Sequence, residues 1–258
     1  MNTLAGGSVV LSTLEFDLLW EHLDLPRRHV ALDVPSPGAT YSERARLVDE
    51  AWGTLADRGL ARGREVVPEV GDALHLLARP RTSVDVWIWA DRRITGLAGS
   101  SGSQAVLGVV DGDEVWLIPS RDSALASAAV SVAGELAPGV GRSISVPHQV
   151  LVEADAEARG DAKALVPALE DRGVELWQAQ ELAGMLLGME TRGQFGAQRL
   201  DRDGRMRRAG RVVAFHDTDA GRYLFQVALG GDGRDWATVT PADNALLAER
   251  VWELLDEV

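Results

Sequence analysis

The sequence predicts an α+β fold in which one antiparallel sheet is assembled from two halves written in the same order: helix, helix, four strands, helix. Three observations carry that prediction. Two stretches dense in β-branched and aromatic residues are broken by short Asp/Gly turns, and apolar residues at helical spacing flank each of them. The stop Leu-x-Asp-Arg-Gly closes a helix in each half, at Leu55 to Gly59 and again at Leu169 to Gly173, which reads as a diverged internal duplication with a quasi-two-fold relation.

The elements follow in order. In "VVLSTLEFDLLW" Ser12 and Glu15 stand at capping-box spacing and open a helix that carries Leu14, Leu18 and Leu19. "SERARLVDEAWGTLADRGL" puts Ala45, Val48, Trp52 and Leu55 on one helical face, and a further helix runs from about Glu65 to Leu77, before Pro80. The period then changes to two. Strands are predicted over Val84–Ala90, Arg93–Gly99, Gln104–Val110 and Glu114–Ile118, joined by "DRR", "SSGS" and "DGD". Ser120 as N-cap opens a helix with the stripe Leu125, Ala128, Val132 and Leu136, and Pro138-Gly139 stops it.

In the second half "DAKALVPALEDRGV" and Glu175–Met189 read as helices, and four strand-like runs follow, separated by "RDG", "DTDAG" and "GGDG". The last helix takes Thr240 as N-cap, with Pro241 at N1 and Asp243 at N3. The link "PGVGRSISVPHQ" is short, which favours a single body over residues 1–258 with halves 9–138 and 142–257 rather than two separate domains.

Composition bounds the function. A chain of 258 residues, 46% hydrophobic, buries a core without staples, and the lack of cysteine removes disulfides, thiolate zinc sites and cysteine nucleophiles together. A net charge of −13 argues against nucleic acid, whose affinity is drawn from basic surfaces. No apolar run approaches the roughly 20 residues of a membrane span, and the first residues show no signal-peptide pattern, so a soluble, cytoplasmic protein is expected.

The stretch most like an active centre is "VVAFHDTDAGRYLFQV", with His216, Asp217 and Asp219 close together. It falls between two β-rich runs in register with the "DGD" turn of the first half, so turn chemistry accounts for it. A calcium loop counted from Asp217 has Ala228 where a glutamate is required, and the five histidines show no ligand spacing. "GSSGS" lacks the second glycine of a nucleophile elbow, and the only lysine, Lys163, lies in no glycine loop. No catalytic residue, metal or cofactor is expected. An enzyme whose site is assembled from residues distant in sequence and a permanent scaffold subunit are the alternative readings.

Candidate binding residues come from faces. Along "VDVWIWAD" alternation puts Val84, Val86 and Ile88 on one side and Asp85, Trp87, Trp89 and Asp91 on the other, and Trp116 is read as extending the second face. On the helix Glu175–Met189 the main stripe is Ala179, Leu182, Ala183 and Leu186, with Trp177, Gly184 and Gly188 opposite, as for a packed element or a partner helix laid in a groove. Two readings of the sheet tryptophans stay open: core beneath helices, or a solvent-reachable hot spot.

The opening helix, "SERARLVDEAWGTLADRGL", the strand onset "RPRTSVDVWIW" and "FHDTDAGRYL" together resemble the EspG family, the secretion-associated chaperones of actinobacterial type VII (ESX) secretion systems, over about Val9 to Leu255. The resemblance implies a central antiparallel sheet with flanking helical bundles and quasi-two-fold halves. It also implies a cytosolic, non-enzymatic chaperone that holds a helical secretion substrate, PE/PPE-like or WXG100-like, soluble before export. In that family the region after the second strand helps form the partner surface; here it is the short, polar "AGSSGS", which brings in Ser100 and Ser101.

Overall fold

The computed structural model describes residues 7–258, so the expectation for the first six residues lies outside it. Strand β1 (Val9–Ser12) runs straight into α1 (Thr13–His22). The capping box forms there as the spacing predicts: Ser12 Oγ accepts from the Glu15 amide at 3.1 Å, and Glu15 Oε2 accepts from the Ser12 amide at 2.8 Å. A 3-10 turn (Val30–Leu32) precedes α2 (Tyr41–Asp57), a short hairpin of β2 (Ala61–Arg62) and β3 (Glu65–Val66), and α3 (Pro68–Ala78). The first meander is β4 (Thr82–Trp89), β5 (Arg93–Ser101), β6 (Gln104–Asp111) and β7 (Glu114–Arg121), followed by α4 (Leu125–Ser131). Ser120 is therefore a strand residue and caps nothing.

The second half opens with β8 (Ile144–Pro147) and α5 (His148–Ala158), then α6 (Ala162–Glu170) and α7 (Leu176–Leu186). Its meander is β9 (Thr191–Leu200), a three-residue β10 (Met206–Arg208), β11 (Val213–Thr218), β12 (Gly221–Leu229) and β13 (Asp235–Pro241), and α8 (Asn244–Asp256) ends the chain. Asp243, not Thr240, caps α8, accepting from the Leu246 amide at 2.9 Å. Three helices precede each meander instead of two. The missed one, α5, follows Pro147 with no side-chain cap, so the usual start signal is absent.

All but β2 and β3 belong to one antiparallel sheet, ordered β1-β7-β6-β5-β4-β9-β11-β12-β13-β8, with β10 paired to β9. Strands β4 and β9 meet at the centre, Val86 opposite Phe195. Outward from that seam the strands of each half are laid down in the same chain order, ending in the strand that opens the half, β1 or β8. The paired helix stops also act alike. Gly59 and Gly173 take φ of 65° and 84°, and a backbone bond spans each stop, Leu60 to Leu55 at 2.8 Å and Val174 to Leu169 at 3.1 Å.

Burial sorts the sheet into two faces. On one, α4 and α8 cover a shared core that includes Val84, Val86, Ile88, Phe195, Phe215 and Leu224. On the other, α1, α2 and α3 cover the first half, around Phe16, Leu97 and Leu117, while α5, α6 and α7 cover the second half, around Leu151, Tyr223 and Val239. The seam strands lie between these two helical groups.

The halves are stitched together at β12. The fully buried Arg222 binds Asp217 through both carboxylate oxygens, at 2.7 and 2.9 Å. It also donates to the carbonyls of Ala133 (2.7 Å) and Gly134 (3.0 Å) at the end of α4 and to Asn244 Oδ1, and its guanidinium stands 4.8 Å from the centre of the Phe215 ring. The link from the first half then runs against β12, with Gly139 N–H on the Arg222 carbonyl at 2.9 Å and Tyr223 Oη on the Val140 carbonyl at 2.8 Å. Any side chain at Gly139 would enter the Tyr223 ring. A buried cation held by a carboxylate and three further acceptors fixes one geometry, so the link is part of the body.

Candidate functional site

The seam leaves a strip of polar and aromatic residues facing out between the two helical groups. Asp85 is buried there. It accepts from Trp87 Nε1 at 2.8 Å and from both terminal nitrogens of Arg208, at 2.5 and 3.2 Å. Arg208 reaches Asp85 by crossing over Gly196, where a Cβ would fall on the guanidinium and on the carboxylate. This ion pair ties the β10 arm down and holds Trp87 by its indole N–H, leaving Trp87 half-buried.

Beyond Trp87 the strip opens into a groove of about 770 Å³. Its floor is Trp89, Gln194, Ala214, His216 and Phe225, one wall is Leu151, Val152 and Asp155 of α5, and the other is Leu186 to Met189 after α7. Three apolar side chains on its rim are solvent-exposed, Val152 at 48%, Leu187 at 61% and Met189 at 46%. Exposed aliphatics around one concavity of this size have the form of a binding groove with an apolar interior. The mouth is charged, with Asp155 and Asp161 on one side and Arg192 on the other, the Arg192 guanidinium 5.7 Å from the centre of the half-buried Trp89 ring.

His216 holds the α7 wall. It sits inside β11, 3% exposed, with Nε2 at 2.9 Å from the Met185 carbonyl near the end of α7 and its ring stacked on Tyr223. Burial pushes its pKa below the ordinary imidazole value, against the opposing influence of the Met185 carbonyl and of Asp217. The neutral ring therefore donates Nε2–H to that carbonyl. The sequence reading placed His216 and Asp217 in a turn; the turn is shorter, Thr218 to Gly221, and both residues are structural members of β11. Among the described residues no group of three or more His, Asp or Glu is placed to hold a metal.

On the same face of the first half the strands next to the seam are covered. There the 3-10 turn Val30–Leu32 packs on β4, β5 and β6, with Ala31 and Leu32 fully buried and a Leu32 methyl against the backbone at Gly108. His29 caps that turn, its Nδ1 accepting from the Ala31 amide at 3.2 Å.

The predicted binding residues divide. Trp87 and Trp89 lie on one face as alternation requires, and only Trp89 reaches the groove. Trp116 lies on the opposite face. It stands across from Val109 and packs into the core under α4 and α8, with Nε1 on Glu114 at 3.1 Å. Alternation within a strand cannot relate its faces to those of a strand three places away in the sheet; the pairing register does that. Ser100 is a buried strand residue, because β5 runs on to Ser101 and the hairpin tip is only Gly102-Ser103. Ser101 is exposed, at the end of β5 remote from Trp89. On α7, Trp177 (55% exposed) and Gly184 face outward, beside Arg142 and Gln180 in the case of Trp177. Helix α7 stops at Leu186, short of the predicted Met189, so Gly188 is a rim residue at φ 72° and not a position on the helix face. Sequence reasoning missed α5 and with it Leu151, Val152 and Asp155, which form a whole wall.

A sequence model described as the EspG family matches residues 12–253. The chain belongs to the EspG family. A solved structure of the Mycobacterium tuberculosis type VII secretion system chaperone EspG5 in complex with the PE25–PPE41 dimer is similar to it, with a TM-score of 0.74 and 16% identity, over 98% of this chain and 97% of that one. At that identity the likeness is one of fold, and it places this EspG-family chain in the same architecture of sheet and flanking helices. A search of curated proteins finds no match. Among the described residues no helix of the family member is long and apolar enough to cross a membrane.

Proposed function

We propose that this EspG-family chain is a cytosolic, non-enzymatic chaperone of a type VII secretion system, and that it keeps a helical PE/PPE-like substrate soluble before export. Family membership supports the class of activity, and the PE25–PPE41 dimer bound to the related EspG5 supports the class of partner. The observation that carries the reading in this chain is the open groove, apolar within, with Val152, Leu187 and Met189 exposed on its rim and charge at its mouth. Such a surface holds an apolar helix end strongly enough to shield it while a polar rim permits release.

The interface assigned here comprises Trp89, Val152, Leu187, Gly188 and Met189. The outward stripe of α7, Trp177 and Gly184, lies on the helix that ends at this rim and extends the interface along it, since Gly184 leaves open space where a side chain would stand. Trp87 stands beside the groove on the same face, and Trp116 and Ser100 belong to the scaffold.

Co-expression with a PE–PPE pair from the same genome tests the reading. Val152→Arg and Leu187→Arg are rim changes that leave the melting temperature unaltered and abolish co-purification of the pair. Retention of the pair by both variants overturns the groove assignment. Capture of a WXG100 protein in place of the PE–PPE pair, lost in the same variants, keeps the groove and changes the substrate class.

A further inference from the structure

We propose that the first half contains a second groove of the same kind, filled by the chain's own Val30-Ala31-Leu32 turn, and that this turn is a built-in version of the ligand that the open groove accepts. The inference rests on the groove being the cargo site and adds the shape of what enters it: one apolar helical turn preceded by a cation.

The argument is one of position. Strands β4, β5 and β6 stand outward from the seam in the same sequence as β9, β11 and β12. The 3-10 turn packs on the first three, and the open groove has its floor on the second three together with Trp89 at the end of β4. The helix before each site ends alike, with Asp24 after α1 and Arg159 after α5 at φ of 47° and 53°, the two non-glycine residues with positive φ among those described. After Arg159 the chain passes through Gly160 and Asp161 directly into α6, whereas after Asp24 it makes the long connection to Thr40 that lays Val30–Leu32 on the sheet. The added segment occupies what its absence leaves open in the other half.

The occupant is also fastened by chemistry that the open groove can reproduce. Arg28, two residues before the turn, pairs with the buried Asp17 of α1 at 2.8 Å, and Ser36 donates to the same carboxylate at 2.8 Å. On the wall of the open groove, Asp155 of α5 has no ion-pair partner among the described residues. A ligand built like the turn would set its aliphatic pair over Ala214 and Phe225 and its cation against Asp155.

A fluorescein-labelled synthetic peptide with the sequence of residues Leu25–Ser36 is the probe, titrated into the intact protein and followed by anisotropy. Saturable binding of one equivalent is expected. It should weaken about tenfold or more on Val152→Arg in the protein, and by as much when Leu32 of the peptide is replaced by Asp. Absence of saturable binding up to millimolar peptide, or binding indifferent to both changes, overturns the proposal. The PE–PPE pair assayed beside it separates the two readings. A pair lost on Val152→Arg with no peptide bound overturns the built-in ligand and keeps the cargo groove. A peptide lost on Val152→Arg while the pair is retained supports the equivalence of the two grooves and overturns the cargo assignment.

Discussion

In each half the helix that follows the edge strand is succeeded by a non-glycine residue with positive φ, Asp24 after α1 and Arg159 after α5, yet one half goes on with a tight turn and the other with a long connection. Where the turn is tight, an apolar concavity stays open to solvent between α5 and the sheet; where the connection is long, a 3-10 turn closes the matching space. If the two halves are a repeat and the groove is the cargo site, as proposed, the difference gives one scaffold a single functional side. On that proposal the sheet supplies two floors, and loop length decides which one is left open.

The comparison is sharpest for the interactions that lock each half. The largest effect is expected for Asp217→Ala, which leaves the guanidinium of Arg222 buried without its carboxylate and should cost about 3–5 kcal/mol of stability, read as the shift in guanidinium chloride unfolding. A turn hydrogen bond alone is worth about 0.5–1.5 kcal/mol, and the burial of Arg222 is what raises the magnitude. Next, Leu32→Ala empties part of the filled groove and should cost about 2–5 kcal/mol, whereas Leu187→Ala on the open rim should change stability by about 0.5 kcal/mol or less. Equal costs for the two leucines would break the distinction between a filled and an open site.

A pH series gives a smaller effect. Burial holds the pKa of His216 below the ordinary value of about 6.5, so as the pH falls the unfolded chain takes up the proton first. The stability that the neutral ring supplies is present above about pH 6.5 and is lost progressively beneath it, with a slope of at most about 1.4 kcal/mol per pH unit. Urea midpoints measured between pH 7.5 and 5.5 should show the decline, and His216→Gln should flatten it. His29, beneath the 3-10 turn, is shifted the same way, first by burial and further by Arg208, with Asp85 opposing, so it adds to the slope. On folding stability Trp177→Ala has one of the smallest effects. It should leave stability within about 0.5 kcal/mol and weaken cargo binding by about 2 kcal/mol, since the ring is exposed on α7.

We propose that the two halves are related by a quasi-two-fold axis through the β4–β9 seam. Superposition of β4 to α4 on β9 to α8, with β10 left out as an insertion, tests that directly. The repeated Leu-x-Asp-Arg-Gly stop is the mark of the proposed relation that the sequence carries, because a glycine at positive φ and the bond spanning it are local chemistry. The meander strands were legible for a similar reason: turn residues and alternation mark them within a few residues. The edge strands β1 and β8 and the helix α5 were not. Each is short or uncapped, and its apolar residues take their meaning from the sheet they join. Of the proposed site, the sequence marks only Trp89, Trp177 and the two glycines, because a groove is a relation between α5, the end of α7 and four strands that no local pattern records. The face of Trp116 and the burial of Ser100 and Arg222 belong to the same class of non-local fact.

Hydrogen–deuterium exchange on the protein with and without a PE–PPE pair tests the central claim most directly, because it reads both halves in one experiment. The account predicts new protection confined to α5, the rim from Leu186 to Arg192 and the outward stripe of α7, with the segment Leu25–Ser36 unchanged in both states. Protection that appears instead around Leu25–Ser36, or that spreads evenly over the two halves, would contradict the proposal of a one-sided chaperone whose second groove is already filled.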